Sequence, residues 1–287
     1  MKKKLALLLT VVMAFGLLVG CGSNEETTTT NTEANAQTST NDTTATEQGT
    51  LADGNYFAAG EPDDKGYKYM ISLDVNGGKI ETVNFDAVNV NTAGDTKKKL
   101  SQDGTYGMKA GGASSEWHEQ VELLEQALVE KQDVAAITVN EEGKTDAVSG
   151  VSIKVNNFVE LVTQALEAGP VEAGTYKDGA YHAEEAEFDG GWKYTVDLTV
   201  FNGNIVAANW DAVNEEGGET KKAQSIAGTY GMDWHTQAQS MEQELIAKQD
   251  PAAITVKEDG TQDAVSGVSI KVAPFVTLAQ EALTNAK

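Results

Sequence analysis

Asp146-Ala-Val-Ser-Gly-Val-Ser-Ile-Lys-Val155 returns unchanged as Asp263-Ala-Val-Ser-Gly-Val-Ser-Ile-Lys-Val272. The identity stops at its far edge, where Asn156 and Asn157 of the first copy face Ala273 and Pro274 of the second. Working outward, Asp53-Gly-Asn-Tyr56 answers Asp178-Gly-Ala-Tyr181, and Phe85-Asp-Ala-Val-Asn89 answers Trp210-Asp-Ala-Val-Asn214. Thr105-Tyr-Gly-Met108 answers Thr229-Tyr-Gly-Met232, and Lys131-Gln-Asp133 answers Lys248-Gln-Asp250. Two long copies make a tandem duplication, 51–169 and 170–287, and not a solenoid; each copy can bury its own core. Gly169-Pro170 and the residues up to Gly174 form the joint.

Within a copy the apolar period changes along the chain. Tyr67, Tyr69, Ile71, Leu73 and Val75 alternate with Lys68, Met70, Ser72 and Asp74, and Trp192, Tyr194, Val196, Leu198 and Val200 repeat the pattern. Such alternation predicts a half-buried strand. Asn76-Gly77 and Asn202-Gly203 predict tight turns into returning strands over 80–88 and 205–213. The spacing of Val121, Leu124 and Leu128, and of Ala238, Met241 and Leu245, predicts a helix, and 137–139 reads as a short strand. After the decapeptide, Phe158, Leu161, Val162 and Ala165, matched by Phe275, Leu278, Ala279 and Ala282, mark a closing helix. The expected fold is α+β: two homologous domains, each an antiparallel sheet with packed helices. Ser152 and Ser269 are expected where the closing helix begins. Free N–H groups and the helix dipole there suit an anion, above all a phosphate.

The chain opens with Lys2, Lys3 and Lys4, an apolar run over 5–19 and Leu18-Val-Gly-Cys21, the pattern of a secretory signal over 1–20. The last four letters resemble a bacterial lipobox, which implies cleavage before Cys21 and a diacylglycerol thioether on its sulfur. Two acyl chains anchor stably where one is marginal. Residues 21–50, rich in Thr, Asn, Ser and Glu, read as a disordered tether behind that lipidated cysteine.

Composition excludes several chemistries. Cys21 is the one cysteine, so an intramolecular disulfide, a CxxC pair and a Cys-ligated cluster are ruled out. The three histidines, His118, His182 and His235, have no metal-motif spacing, and no metal site is expected. A formal net charge of −23, with 44 Asp and Glu against 21 lysines and no arginine, repels nucleic acid. Neither a GxSxG elbow nor a Walker loop is present, and an SxxK pair ending at Lys154 would need serine at Val151. Serine capping of the closing helix would explain one serine of the decapeptide, but not ten identical positions.

Asp-Ala-Val-Ser-Gly-Val-Ser resembles the flavinylation motif of the FMN-binding domain family. The resemblance implies that a flavin transferase, with FAD as donor, places FMN on the hydroxyls of Ser152 and Ser269, two covalent FMN groups per chain. Ser149, Gly150, Ser266 and Gly267 would form the turn, and Asp146 and Asp263 would open the motif. Val151 and Val268 replace the family's usual alanine, and serine replaces its commoner threonine. Tyr106, Met108, Trp117 and His118, with Tyr230, Met232, Trp234 and His235, are the candidate ring contacts, their aromatic and sulfur groups suiting an isoalloxazine. The first copy carries about seven extra residues here, 109–115, so the two flavins are expected to differ in exposure.

Taken whole, a lipobox, a tether and two such domains resemble the extracellular electron-transfer flavolipoproteins of Gram-positive bacteria. That resemblance implies an electron carrier, lipid-anchored at the outer face of the cell membrane; a flavoenzyme with a substrate of its own is disfavoured by the lack of an acid, base or nucleophile constellation beside the motif. It would take electrons from a membrane quinol route fed by NADH dehydrogenase and pass them to ferric iron or other extracellular acceptors. A colourless surface lipoprotein that binds a ligand or a partner protein is the alternative.

Overall fold

Alternation over 67–75 predicts one strand, and the computed structural model, which describes residues 50–287, contains it as β2 (Tyr67–Asn76). The signal, Cys21 and all of the tether but its final residue lie outside the described residues. β1 (Gly54–Ala59) and β3 (Lys79–Asn89) pair antiparallel with the two edges of β2, in the order β1-β2-β3. The second repeat builds the same sheet from β4 (Gly179–Glu184), β5 (Trp192–Phe201) and β6 (Asn204–Asn214). A register shift recurs at equivalent places, Asp74/Val75 and Thr199/Val200.

In the second repeat the β5–β6 turn is Asn202-Gly203, with φ of 51° and 73°, as expected. In the first it is Gly77-Gly78, at 59° and 75°, one residue later than the Asn-Gly signal. Two central residues at positive φ give the primed turn whose twist matches the strands. In the first repeat two glycines meet that demand, and Asn76 ends β2.

The helices are α1 (Lys97–Gln102), α2 (Trp117–Lys131) and α3 (Asn156–Ala168), followed by α4 (Lys221–Ile226), α5 (Trp234–Lys248) and α6 (Ala273–Ala282). The repeated Lys-Gln-Asp has a local cause. Gln132 turns left-handed (φ 56°) to end α2, and its amide exchanges two 2.8 Å hydrogen bonds with the backbone of Ile80. Gln249 does the same for α5 with Ile205, at 2.7 and 2.9 Å. Asp133 and Asp250 then cap a single 3-10 turn. No strand forms over 137–139: Ile137 is buried after that turn, but the segment has no partner edge, so the expected short strand is corrected to an unpaired extended stretch.

One face of each sheet takes the two longer helices. Ile71, Leu73 and Phe85 pack with Leu124, Leu128, Phe158 and Leu161, and Val196, Leu198 and Trp210 pack with Met241, Leu245, Phe275 and Leu278. The opposite faces meet across the repeats. Met70, Val88 and Ala93 form a second cluster with Phe201, Val206 and Ala207, joined by Phe57 and Ala59. Met70, read from the alternation as an outward position, is thus fully buried in this seam. Thr199 donates to the Gly94 carbonyl (2.6 Å) and Asn202 to Asn55 (2.8 Å) across it. The joint runs alongside: Val171 N–H donates to Asn55 O and Gly174 N–H to Asn202 O. A Cβ on Gly174 would lie 2.0 Å from the Gly203 carbonyl oxygen, so this close approach needs glycine.

Candidate functional site

Ser152 and Ser269 lie in extended loops, not at helix starts. The N-caps of α3 and α6 are Val155 and Val272, both right-handed and without a side-chain cap bond. Each serine stands three residues earlier, and its N–H is already engaged. Gln120 Oε1 accepts from Ser152 N (2.7 Å), Ser152 Oγ (3.2 Å) and Ile153 N (3.1 Å). Gln237 Oε1 accepts from Ser269 N (2.8 Å), Ser269 Oγ (3.2 Å) and Ile270 N (3.3 Å). One amide oxygen therefore holds the loop and aims the hydroxyl. Both the helix-start anion cradle and the capping role give way to this glutamine clamp.

The rest of the decapeptide shapes the turn before the serine. Gly150 and Gly267 are left-handed, at φ 87° and 81°, where a Cβ is strained. Thr145 Oγ1 accepts from Ala147 N in the first repeat, and Gln262 accepts from Val265 N in the second. Asp146, Ser149, Asp263 and Ser266 are solvent-exposed, as are Ser152 and Ser269. Asp263 pairs with Lys257 at 3.0 Å.

Gln120 is fully buried, so truncating it leaves the part-buried N–H groups of Ser152 and Ile153 without their acceptor. Gln120→Ala is expected to lower the unfolding free energy by about 1–3 kcal/mol, the usual cost of unsatisfied buried donors. Gln237→Ala should cost less, because Gln237 is only half-buried and Ser269 N is exposed to water. Urea midpoints of the two variants check the order.

Gln120 lies one turn beyond Trp117 on α2, and Gln237 one turn beyond Trp234 on α5, so each pair shares a helix face. Against each tryptophan sits a lysine that the sequence reading passed over. Lys97 Nζ lies 4.6–5.1 Å from the ring centres of Tyr67, Tyr69, Tyr106 and Trp117, and donates to Tyr69 Oη at 3.0 Å. Lys221 Nζ lies 4.3–5.6 Å from Trp192, Tyr194, Tyr230 and Trp234, and donates to Tyr194 Oη at 2.6 Å. Both lysines are at least 95 % buried. Desolvation pulls each amine down to about 8, with Asp63 and Asp86 resisting at Lys97, and Glu185 and Asp211 at Lys221. The surrounding rings favour the ammonium, a single cation–π contact contributing about 0.5–2 kcal/mol. Burial also pushes the Tyr69 and Tyr194 phenols up to about 12, so they stay neutral donors and acceptors.

The expected ring contacts divide. Tyr106 and Trp117 meet in the first cage, and Tyr230 and Trp234 in the second. Trp117 and Trp234 are also core residues, in contact with Phe85 and Trp210 respectively. His118 and His235 are held elsewhere, their Nδ1 atoms 2.9 and 3.0 Å from Ser101 and Ser225 Oγ. Met108 is tied by its N–H to Glu116, whereas Met232 is 45 % exposed. The extra residues of the first repeat form a turn, Lys109–Gly111, pinned by the Glu116 carboxylate. Without that turn the second site presents Ile226 and Met232 to solvent, so the two sites differ in exposure.

A cleft beside Tyr69, lined by Gly60, Glu61, Asp63, Asn157 and Leu161, has a volume of about 160 Å³. That is below the ~300–1,000 Å³ of ordinary ligand pockets. A flavin on Ser152 would be retained by its bond to the exposed hydroxyl and not by an enclosing pocket.

No protein-family model and no curated protein matches the chain. Two solved structures are similar. A solution NMR structure of a protein from Clostridium thermocellum is 46% identical over 37% of this chain and 89% of its own, with a TM-score of 0.32. A crystal structure of a protein from Clostridium perfringens is 26% identical over 39% of this chain and 88% of its own, with a TM-score of 0.31.

Proposed function

We propose that the chain is an electron carrier bearing two covalent FMN groups, on Ser152 and Ser269, and that it works tethered by a lipid on Cys21 at the extracellular face of the cell membrane. The observation that carries this reading is the duplicated clamp: an exposed serine hydroxyl aimed by a glutamine oxygen, the glutamine itself one helical turn from a tryptophan that walls the aromatic cage of a lysine. Each serine gives up its hydroxyl proton and takes the FMN phosphoryl group from FAD, with AMP as leaving group. The transferase supplies the catalysis. A small cleft would release a free flavin outside the cell, and a phosphoester retains it.

When bound, the flavin supplies reversible two-electron chemistry. The protein's own residues hold the attachment loop and supply aromatic surface and positive charge. The donor in this proposal is a membrane quinol supplied by NADH dehydrogenase, and the acceptor is ferric iron or another extracellular oxidant. No helix among the described residues is long and apolar enough to cross a membrane.

The test is optical. Chain produced with an active transferase should be yellow, should bleach anaerobically with NADH and membrane vesicles containing quinone and NADH dehydrogenase, and should recover colour on ferric citrate. A colourless product would favour the ligand-binding lipoprotein. A yellow product that the vesicles cannot bleach would remove the carrier role.

A further inference from the structure

Two adjacent lysines in each repeat are treated in opposite ways. Lys98 and Lys222 are neutralised, at 2.7 Å from the carboxylates of Glu125 and Glu242. Lys97 and Lys221 are as deeply buried, yet neither forms an ion pair among the described residues, and the hydrogen-bond partner of each is a phenol. A buried, unneutralised ammonium is costly, and an apolar side chain would fill the same space at less expense. That both repeats keep the cation, in a chain of net charge −23, points to an anion that it faces. The cage shares Trp117 or Trp234 with the first turn of the helix whose glutamine clamps the serine, so one helix start links the cation to the attachment loop.

We propose that Lys97 and Lys221 are the charge partners of the flavin rings on Ser152 and Ser269, favouring the reduced, anionic ring and so raising the reduction potential of each site. This rests on the covalent-FMN reading above. A quinol gives two electrons and two protons; the ring keeps both electrons and one proton, and the other proton goes to solvent. The ring then bears one negative charge, the charge the ammonium faces. Two ferric ions each take one electron on reoxidation, and the retained proton is released. An opposite charge at close range favours an ionised form about tenfold or more.

The experiment uses the full chain with one flavin site removed. In Ser269→Ala, loaded by the transferase, Lys97→Gln is expected to leave the attached mass unchanged and to weaken the preference for reduced over oxidised flavin at least tenfold. For a two-electron couple that is a midpoint potential lower by about 30 mV. Lys221→Gln in Ser152→Ala repeats the measurement in the second domain. Lys97→Arg, which keeps the charge, should keep most of the potential. Full loading with an unchanged potential in both Gln variants overturns the proposal and leaves the FMN reading standing; no attached mass in the parent chains overturns the FMN reading itself.

If the Gln variants do not fold, the parent answers alone. Its potential should fall with pH more steeply above about 8, as the amine loses its proton. Asp63, Lys65, Asp86 and the phenols of Tyr67, Tyr69 and Tyr106 are the other groups around it. An unbroken slope there contradicts the proposal. Tryptophan fluorescence of the unloaded chain gives a readout independent of flavin: the cage predicts that Trp117 and Trp234 emission changes as Lys97 and Lys221 titrate.

Discussion

Glu242→Leu is expected to lower the unfolding free energy by about 3–5 kcal/mol, because it leaves the Lys222 ammonium buried without its counter-charge. Glu242 Oε1 receives Lys222 Nζ and Trp210 N, both at 2.7 Å, and Lys222 also donates to Asn209 at 2.6 Å. The side chains of this pair are only 9 and 5 % exposed. Desolvation already pushes the Glu242 carboxyl up, opposed by Lys222, so the pair depends on both members. Removing both charges together in Lys222→Met/Glu242→Leu should restore much of the loss, since a buried ion pair is roughly matched by apolar residues of similar volume. Glu125→Leu should cost less, because Lys98 and Glu125 are 16 and 13 % exposed and water can reach them. Guanidinium unfolding of the four chains checks the ranking. A double variant as unstable as Glu242→Leu alone would contradict it.

Phe201→Ala should loosen the two repeats from one another. Phe201 is 3 % exposed, its ring centre 6.2 Å from that of Phe57, and it packs in the seam with Met70, Val88 and Val206. Deleting a buried phenyl costs about 3–5 kcal/mol. Here the loss falls on the inter-repeat cluster and leaves each repeat's own core intact. Unfolding is therefore expected to change from one transition to two, with the second repeat's Trp210 and Trp234 reporting separately from the first repeat's Trp117. A single, uniformly shifted transition would show that the seam does not couple the repeats.

Both expectations rest on features only partly legible in the sequence. The sheets were readable because strand periodicity is local: Tyr67 to Val75 and Trp192 to Val200 alternate whatever lies beyond them. The closing helices were readable from the spacing of Phe158, Leu161, Val162 and Ala165. Ile137 to Val139 misled because an apolar, β-branched stretch looks the same whether or not a partner edge awaits it. Met70 misled because a strand buried on both faces needs a second repeat behind it, which alternation within one strand does not reveal.

At the site, the decapeptide identified the serine loop but not what holds it. Gln120 is 32 residues from Ser152, and only the fold brings the two together. The repeated Trp-His-x-Gln of 117–120 and 234–237 was the available signal, read only as far as the histidine. Lys97 was passed over because lysines in a loop ordinarily face water. Its burial follows from convergence of Tyr67 and Tyr69 on β2, Tyr106 after α1 and Trp117 on α2, and Thr96-Lys-Lys98 repeated as Thr220-Lys-Lys222 was the trace it left.

The most direct measurement is the intact mass of the signal-less chain produced with and without a flavin transferase, as wild type, Ser152→Ala, Ser269→Ala and the double variant. Covalent flavinylation predicts two FMN phosphoryl additions in the wild type, one in each single variant and none in the double, with no addition anywhere when the transferase is absent. No added mass in wild type, beside a transferase shown to be active on another acceptor, would contradict it.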